Sequence, residues 1–211
     1  MHLTVLGASG RTGRQIVRQA LDAGHRVTSV VRDPARLDPA RHPSLEAFTA
    51  DPLDPVALAP AVAGRDAVIS ALGPNSRADG VICTAGARAA IAAARETGTR
   101  RLVVITGAGA FIDDGDGPFT RAVFKPLLRR LYLGAQFTDF ENAEREVRAS
   151  ALDWTLVRPP RLTDGPARPY RTAVDRNIRG GLTLSRASLA TAVLALLPDP
   201  ATTHHHISAA H

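Results

Sequence analysis

The sequence predicts an α/β protein in which a doubly wound parallel sheet lies between two layers of helices. Three observations support this prediction: short apolar runs recur along the chain, helical patterns follow most of them, and a glycine-rich turn follows the first run. Parallel strands that are buried on both faces appear as continuous apolar runs, and helical crossovers connect them. With 211 residues, 45% of them apolar, the chain suits a single domain with one sizeable core.

Strands and helices can be assigned in order along the chain. The predicted strands are the apolar runs at residues 1–6, 26–31, 45–50, 66–72, 101–106, 154–158 and 205–209. The predicted helices have apolar residues at spacings of three and four and cover residues 14–21, 55–63, 77–97, 119–131, 139–150 and 188–197. Gly98 is expected to end the third helix, because glycine readily adopts the left-handed conformation found at helix C-termini. Residues 107–118, which include three aspartates, are predicted to form a mobile loop over a ligand site.

The turn after the first strand carries three glycines at intervals of three residues. Gly7 allows a tight turn, Gly10 lets the backbone approach a pyrophosphate closely, and Gly13 lets the helix pack against the strand. The N-terminus of the following helix favours negative charge. Because a strand precedes this turn and a helix follows it, the sequence predicts a dinucleotide-binding site.

The residues after the second strand indicate which dinucleotide is bound. An NAD site usually has an acid here for the ribose hydroxyls, whereas this strand is followed by Arg32. Asp33 comes next, but an Asp-Pro pair favours the start of a turn, and Arg36 lies within reach of the same place. Two guanidinium groups match an additional phosphate through paired hydrogen bonds. We therefore predict NADP(H) as the cofactor.

Several segments together resemble the atypical short-chain dehydrogenases that include biliverdin reductase B and the NADPH-dependent flavin reductases, within the broad NAD(P)H-binding family. The segments are residues 7–13, 31–37, 50–54, 70–73, 102–106, 144–147, 150–155, 158–160 and 162–165, so the resemblance covers nearly the whole chain. It implies one Rossmann-like domain over residues 1–211. Residues 1–110 would form the cofactor half, and residues 111–211 a small C-terminal elaboration on the substrate side.

The resemblance also implies contacts with particular parts of the cofactor. Asp51 and Pro52 would flank the adenine, Leu72 and Gly73 the ribose region, and residues 106–108 with the pair 159–160 the nicotinamide. The predicted cofactor site comprises Gly7, Ala8, Ser9, Gly10, Arg11, Thr12, Gly13, Arg32, Arg36, Asp51, Pro52, Ala71, Leu72, Gly73, Thr106, Gly107, Ala108, Pro159 and Pro160.

The catalytic residues are less clearly indicated. Standard short-chain dehydrogenases use a tyrosine with a lysine four residues later, and neither tyrosine of this chain has that partner. The resembled flavin reductases commonly have a serine after the fifth strand, where this chain has Gly107, which is expected to widen the pocket. Thr106 is the nearest hydroxyl and is the candidate catalytic residue, although it could equally just end a buried strand. The candidate substrate contacts, each of which could instead be packing or surface, are Tyr132, Arg161 and Tyr170.

Composition argues against several other classes of function. The net charge of +6 comes from scattered arginines with few aromatic residues, which does not indicate nucleic-acid binding. Arg121, Lys125 and Arg129 are expected to form a solvated helix face. No run is long and apolar enough to span a membrane, and with no signal peptide apparent a cytosolic protein is expected. No coiled-coil or exposed apolar stripe indicates an oligomer.

Two further features are expected to be structurally ordinary. The single cysteine, Cys83, should be a free thiol on a helix, and it excludes an internal disulfide. The run His204, His205 and His206 should be exposed and not a metal site, because consecutive strand residues point to opposite faces.

Three hypotheses about function follow. The first is an NADPH-dependent reductase that transfers hydride to a flavin, a quinone or a similar conjugated small molecule. The second is a non-catalytic NADP(H) sensor or regulator, and the third is a scaffold adapted to an isomerase, lyase or cyclase step. The first leads because the cofactor-binding motifs are intact.

Overall fold

The computed structural model describes residues 1–37, 42–74, 80–130 and 134–211. The strands in these residues are β1 (His2–Leu6), β2 (Arg26–Val31), β3 (Leu45–Thr49), β4 (Ala67–Ser70), β5 (Arg101–Ile105), β6 (Asp153–Arg158), β7 (Arg161–Thr163), β8 (Arg171–Val174), β9 (Thr183–Ser185) and β10 (His205–Ala210). The α-helices are α1 (Arg11–Asp22), α2 (Pro55–Val62), α3 (Ile82–Thr97), α4 (Lys125–Leu128), α5 (Gly134–Ala149) and α6 (Arg186–Leu196). A π-helical turn, Thr120–Phe124, leads directly into α4.

Eight of the strands form one twisted sheet in the order β3-β2-β1-β4-β5-β6-β10-β8. Every neighbouring pair is parallel except β10 with β8, which is antiparallel at the edge. The chain reverses its direction of winding between β1 and β4. In sheets of this kind the ligand lies beyond the carboxyl ends of the strands at that reversal. The predicted Rossmann-like α/β fold is confirmed.

Two hydrophobic layers enclose the sheet. One face packs against α2, α3 and α5, with Leu102 and Leu156 among its fully buried residues. The other face packs against α1 and α6, where Ile16 and Leu189 are fully buried. Strands β1, β2, β4, β5 and β6 therefore contribute buried apolar side chains to both faces, which explains their continuous apolar runs.

Local signals account for several of the element boundaries. Asp54 accepts hydrogen bonds from Val56 N at 2.9 Å and Ala57 N at 3.2 Å and so caps α2. Gly98, with φ of 75°, ends α3 in the predicted left-handed conformation. Ser185 caps α6 by accepting a hydrogen bond from Ser188 N at 3.1 Å.

The predictions were wrong mainly in the second half of the chain. The helix predicted at 119–131 is present over the described residues 118–130, with a π-helical turn at Thr120–Phe124 before α4, whereas α5 begins at Gly134 rather than at residue 139. Strands β7, β8 and β9 were not predicted. They have only three or four residues each, and β7 pairs with β9 in a separate small sheet. Helix α1 also begins three residues earlier than predicted.

Candidate cofactor and substrate site

The glycine turn connects β1 to α1 at the reversal point of the sheet. Gly7 has φ of 76°, and a Cβ on it would lie 2.8 Å from the carbonyl oxygen of Ala71 at the end of β4. A Cβ on Gly13 would overlap the carbonyl oxygen of Gly7. The close approach of helix to turn predicted for Gly13 is therefore present.

The first turn of α1 presents backbone amides for an anion. The first intrahelical hydrogen bond runs from Arg14 N to Gly10 O at 2.9 Å, so the amides of residues 11–13 precede the hydrogen-bonded ladder. The N-cap is glycine, which has no capping side chain, and the first turn holds no acidic residue. Such a terminus has a partial positive charge and favours phosphate.

A cavity of about 1230 Å³ extends from this turn across the carboxyl ends of the strands. This volume exceeds the roughly 300–1,000 Å³ of a typical ligand pocket, so it has room for a dinucleotide and a second molecule. All of the predicted cofactor residues line it except Ala8 and Gly13, which are buried behind the turn. Their contacts with a bound cofactor stay a prediction.

The predicted substrate residues are not all brought together. Arg161 lines the cavity. Tyr170 does not line it; its ring packs against the core on the α1 and α6 face, where burial raises its pKa. Tyr132 lies outside the described residues.

The adenosine end of the cavity is basic. Arg32 and Arg36 both line it with exposed side chains. The carboxylate of Asp33 accepts a hydrogen bond from Ala35 N at 3.0 Å and caps the short turn Pro34–Arg36. The carboxylate of Asp33 therefore caps the turn, as the Asp-Pro pair predicted.

Arg14 is a cavity residue that sequence reasoning missed. Its Nη2 donates to the carbonyl oxygen of Arg36 at 3.1 Å, which ties the first turn of α1 to the turn after β2. Its Nε is buried and has no hydrogen-bond partner among the described residues. In the sequence, the position of Arg14 directly after the third glycine of the motif could have indicated that it lines the site.

Thr106 belongs to a buried charged network. Its hydroxyl donates to Glu144 Oε1 at 2.8 Å, and Arg158 binds the same carboxylate through Nε at 2.8 Å and Nη2 at 2.6 Å. Glu144 and Arg158 are 2% and 6% exposed. The guanidinium of Arg158 lies over the ring of Phe111, 3.5 Å from its centroid. The hydroxyl proton of Thr106 is therefore engaged by a carboxylate.

Phe140 occupies the space beside Gly107. A Cβ on Gly107 would lie 2.9 Å from Cε2 of Phe140, so the ring fills the position that a serine side chain would need. The expectation that Gly107 widens the pocket is wrong. Instead, Phe137 and Phe140 give the cavity an aromatic wall at this end.

Lys125, the chain's single lysine, is buried in the same part of the cavity wall, so its predicted place on a solvated helix face is wrong. Its Nζ donates to Phe111 O at 2.6 Å and to the carboxylate of Asp116 at 2.7 Å. Arg121 and Arg129 are exposed, as predicted for that face.

The loop predicted to be mobile is anchored by this cluster. Asn177 donates through its backbone N to the carboxylate of Asp113, and through Nδ2 to Phe111 O and Asp116. Gly115 packs so closely on the backbone of Asn177 that a side chain there would overlap it. Asp113 and Asp116 thus serve as hydrogen-bond acceptors that join two distant loops, whereas Asp114 is exposed and pairs with Arg121.

Cys83 and all three histidines of residues 204–206 have identifiable neighbours, with Asp175 contacting both His205 and His206. Burial and then the nearby Asp139 raise the pKa of the Cys83 thiol, which is typical of an unreactive structural cysteine. His204 packs on Trp154, and His205 Nδ1 lies 2.5 Å from the carboxylate of Asp175. His206 is 8% exposed, which corrects the expectation that the whole run is exposed.

The comparisons with known proteins agree with this geometry. Residues 7–200 match the NAD(P)H-binding family. The chain belongs to that family. It is 28% identical over 210 residues to the Bacillus subtilis protein YwnB, covering 95% of this chain and 93% of YwnB.

Solved structures of other proteins have the same fold. A Burkholderia pseudomallei protein is 28% identical, with a TM-score of 0.82 and complete coverage of both chains. A short-chain dehydrogenase/reductase from Veillonella parvula, solved in complex with NADP, has a TM-score of 0.84 at 16% identity and covers 100% of this chain and 94% of its own.

The residues present fit an NAD(P)H cofactor of this family. The amides before the first helical hydrogen bond suit a diphosphate, and side chains at Gly7 and Gly13 would collide with backbone that shapes the cradle. The buried Nε of Arg14 offers a further unpaired donor at the basic end, within the part of the chain described. No helix in the described ranges is long and apolar enough to cross a bilayer.

Proposed function

We propose that the protein is an NADPH-dependent reductase that transfers hydride to a flavin, a quinone or a similar planar conjugated molecule. One observation carries the proposal. A single cavity joins a phosphate cradle and basic residues at one end to an aromatic wall with buried cationic groups at the other. Two molecules can therefore lie next to each other in it.

The cofactor would extend along the carboxyl ends of the strands. The glycine turn would hold its diphosphate, and Arg32 and Arg36 would bind the additional phosphate of the adenosine. Arg14 supports this specificity, because it fixes the backbone of the turn that contains Arg36. Residues 106–108, together with the adjacent pair 159–160, would border the nicotinamide, which supplies hydride when bound.

The acceptor would lie against the aromatic wall. Phe137 and Phe140 line the cavity with Leu128 and Ile178, which gives this part of the wall an apolar surface. Flat conjugated rings gain offset-stacked contacts with aromatic side chains. A stacked, oriented pair of rings needs little further assistance, because positioning alone supplies much of the rate.

Two buried cations can stabilise the charge that hydride transfer adds to the acceptor. Arg158 is held by Glu144 and keeps donors beyond the two that bind this carboxylate. Lys125 holds its protons at the cavity wall between Phe111 O and Asp116. Donors fixed in advance in a site that excludes water favour the transition state strongly. Lys125 is thus a stronger candidate proton donor than Thr106.

The direct test is NADPH oxidation by the purified protein with a panel of flavins and quinones, followed by the loss of absorbance of the reduced nicotinamide. We expect turnover with at least one such acceptor and little with simple ketones, because the tyrosine and lysine pair is missing. NADP(H) binding measured by calorimetry without turnover of any acceptor would contradict the proposal.

A second function, a non-catalytic NADP(H) sensor, also suits the surroundings of residues 106 and 107. The hydroxyl of Thr106 already donates to Glu144, and Phe140 fills the space beside Gly107. A sensor needs no proton donor at either position. This function predicts tight binding of the oxidised cofactor and no turnover, so the same two measurements separate the candidates.

A further inference from the structure

Two arginines from distant parts of the chain bind one carboxylate beside the cavity. Arg11 lies between the second and third glycines of the turn, and Arg186 is the first residue of α6. Nη2 of Arg11 donates to Oδ2 of Asp164, and Nη1 of Arg186 donates to Oδ1 of the same group at 2.8 Å. Two hydrogen bonds to one carboxylate place the bonded nitrogens within roughly 8 Å of each other. Asp164 therefore holds two guanidinium groups side by side.

The two arginines face the cavity and keep donors for a bound molecule. Both of them line it, whereas Asp164 does not. The side chain of Arg186 is only 15% exposed, and it binds no described residue other than Asp164. Its unpaired nitrogens are nevertheless not sealed from solvent. Because a guanidinium has five N–H donors, Arg186 has donors left for a molecule in the cavity.

The charges at this place favour a bound anion. Two guanidinium groups outweigh the one carboxylate. Each arginine is also the first residue of an α-helix whose first turn holds no acidic residue. A cation at this position does not stabilise a helix, because the N-terminus already has a partial positive charge. The fold thus keeps an excess of positive charge next to the turn that suits a diphosphate.

We propose that Arg11 and Arg186 bind the diphosphate of NAD(P)H, and that Asp164 positions both guanidinium groups for it. The backbone amides of residues 11–13 would bind the diphosphate from the glycine turn, and Arg186 would bind it from α6. Guanidinium groups match phosphate oxygens through paired hydrogen bonds and oppose their charge. The inference requires binding of the cofactor and does not depend on hydride transfer.

Equilibrium binding of two cofactors tests the inference, because NADP⁺ and NAD⁺ share the diphosphate and only NADP⁺ has the additional phosphate. Arg186→Gln should raise the Kd of both by about the same factor, roughly tenfold, as measured by calorimetry. Arg186→Lys keeps the charge and should lose less affinity than Arg186→Gln. Arg168→Gln changes an exposed arginine that does not line the cavity, and it should alter neither Kd.

Arg11→Gln gives an independent measurement. The side chain of Arg11 is 67% exposed, so its removal should leave the fold intact. This variant should also weaken NADP⁺ and NAD⁺ by similar factors. Unchanged Kd values for both cofactors in Arg186→Gln would overturn the inference. A loss confined to NADP⁺ would overturn it too, because Arg186 would then bind the additional phosphate.

A phosphate could also belong to the acceptor, and FMN and riboflavin differ by one such group. With the protein saturated with NADP⁺, Arg186→Gln should leave the affinities for both flavins as in the wild type. A weaker affinity for FMN alone, with both dinucleotides bound as in the wild type, would assign the arginine pair to the acceptor and reject the inference.

The outcome for the arginine pair is separate from the outcome for the proposed reductase. Equal weakening of both cofactors by Arg186→Gln, without NADPH oxidation by the wild type, would support the diphosphate contact and reject the reductase. NADPH oxidation by the wild type, with unchanged cofactor Kd values in Arg186→Gln, would support the reductase and reject the diphosphate contact.

Discussion

The ring of Phe140 lies directly against Gly107, close enough that a Cβ at residue 107 would be 2.9 Å from Cε2 of the ring. Phe140 is 9% exposed and packs in the core, so it cannot simply rotate into solvent. The two residues therefore depend on each other: a glycine is required after Thr106 because an aromatic ring covers it.

Gly107→Ser should destabilise the protein. The added side chain must displace a packed ring, and overpacking of this kind costs typically about 1–3 kcal/mol of the free energy of unfolding. Urea unfolding followed by circular dichroism measures this cost. Gly117→Ser is the control, since no atom lies within 4 Å of a Cβ there. If the two variants lost the same stability, the contact with Phe140 would not explain the glycine.

Arg32→Asp should weaken NADPH binding and leave NADH binding nearly unchanged. The guanidinium is expected to bind the additional phosphate, and a charged hydrogen bond contributes about 1.5–3 kcal/mol, or roughly tenfold to a hundredfold in Kd. Calorimetric titration with each cofactor gives the comparison. Arg18→Asp changes an exposed arginine on α1 that does not line the cavity, and it should alter neither Kd. Equal weakening of both cofactors by Arg32→Asp would refute the phosphate contact.

Lys125→Met should lower kcat with a flavin acceptor by about a hundredfold or more, because a positioned proton donor typically contributes that much. NADPH affinity should stay the same, since Lys125 lies at the opposite end of the cavity from Arg32. The carboxylate of Asp116, with a side chain only 6% exposed, would lose its cationic partner, so stability should fall as well.

The double variant Lys125→Met with Asp116→Asn separates these two effects. It should recover stability, because no unpaired buried charge remains, while kcat stays low. Arg121→Met, at an exposed position, is the control for removal of a cation from this segment. A kcat for Lys125→Met within about threefold of the wild type would exclude a proton-donating role.

Glu144→Gln should cost much more stability than Glu146→Gln, although the two residues are neighbours on α5. Glu144 is buried with Arg158, and removing one partner of such a pair costs about 3–5 kcal/mol. Glu146 pairs with Arg88 at the surface, where side-chain exposures are 36% and 66% and a pair contributes about 0–1 kcal/mol. Chemical denaturation of both variants provides the measurement. Similar losses in the two would mean that the buried network is not structural.

The sequence predicts the sheet far better than the substrate end of the site. Strands such as β1 and β5 are buried on both faces and therefore appear as uninterrupted apolar runs. The spacing of the glycines after β1 indicates the turn, because its backbone geometry is one that only glycine permits. Strands β7 and β9 have three residues each and exist through pairing with each other, so their own residues carry little signal.

Lys125 shows why the substrate end is harder to predict. At regular helical spacing Lys125 would share a helix face with Arg121 and Arg129. Three cations on one face predict that this face is exposed to solvent. The π-helical turn Thr120–Phe124 has a wider repeat, which changes the direction of the residues after it, and Lys125 is buried instead. Its partners Asp116 and Phe111 belong to a loop that Asn177 also holds, and no local pattern reports a contact over more than sixty residues.

The buried His206 should make the free energy of unfolding fall as the solution becomes acidic. Burial, and then the nearby Arg158, lower its pKa below the ordinary 6.5, against the opposing effects of Glu144 and Asp175. The folded protein therefore holds a neutral imidazole where the unfolded chain takes up a proton. Unfolding binds protons in this range, so the contribution is fully present above pH 6.5 and is lost as the pH falls from 6.5 toward the lower folded value.

The free energy of unfolding of the wild type should consequently decrease between pH 7.5 and pH 5, as measured by urea denaturation at each pH. In His206→Gln this decrease should be smaller, because the group that takes up the proton is gone. His2 and His25 also have lowered pKa values through burial, so part of the decrease should remain in the variant. The difference between the two proteins at pH 8, where both states hold a neutral imidazole, gives the packing cost of the substitution. Parallel pH profiles for wild type and variant would show that His206 does not contribute to the acid sensitivity.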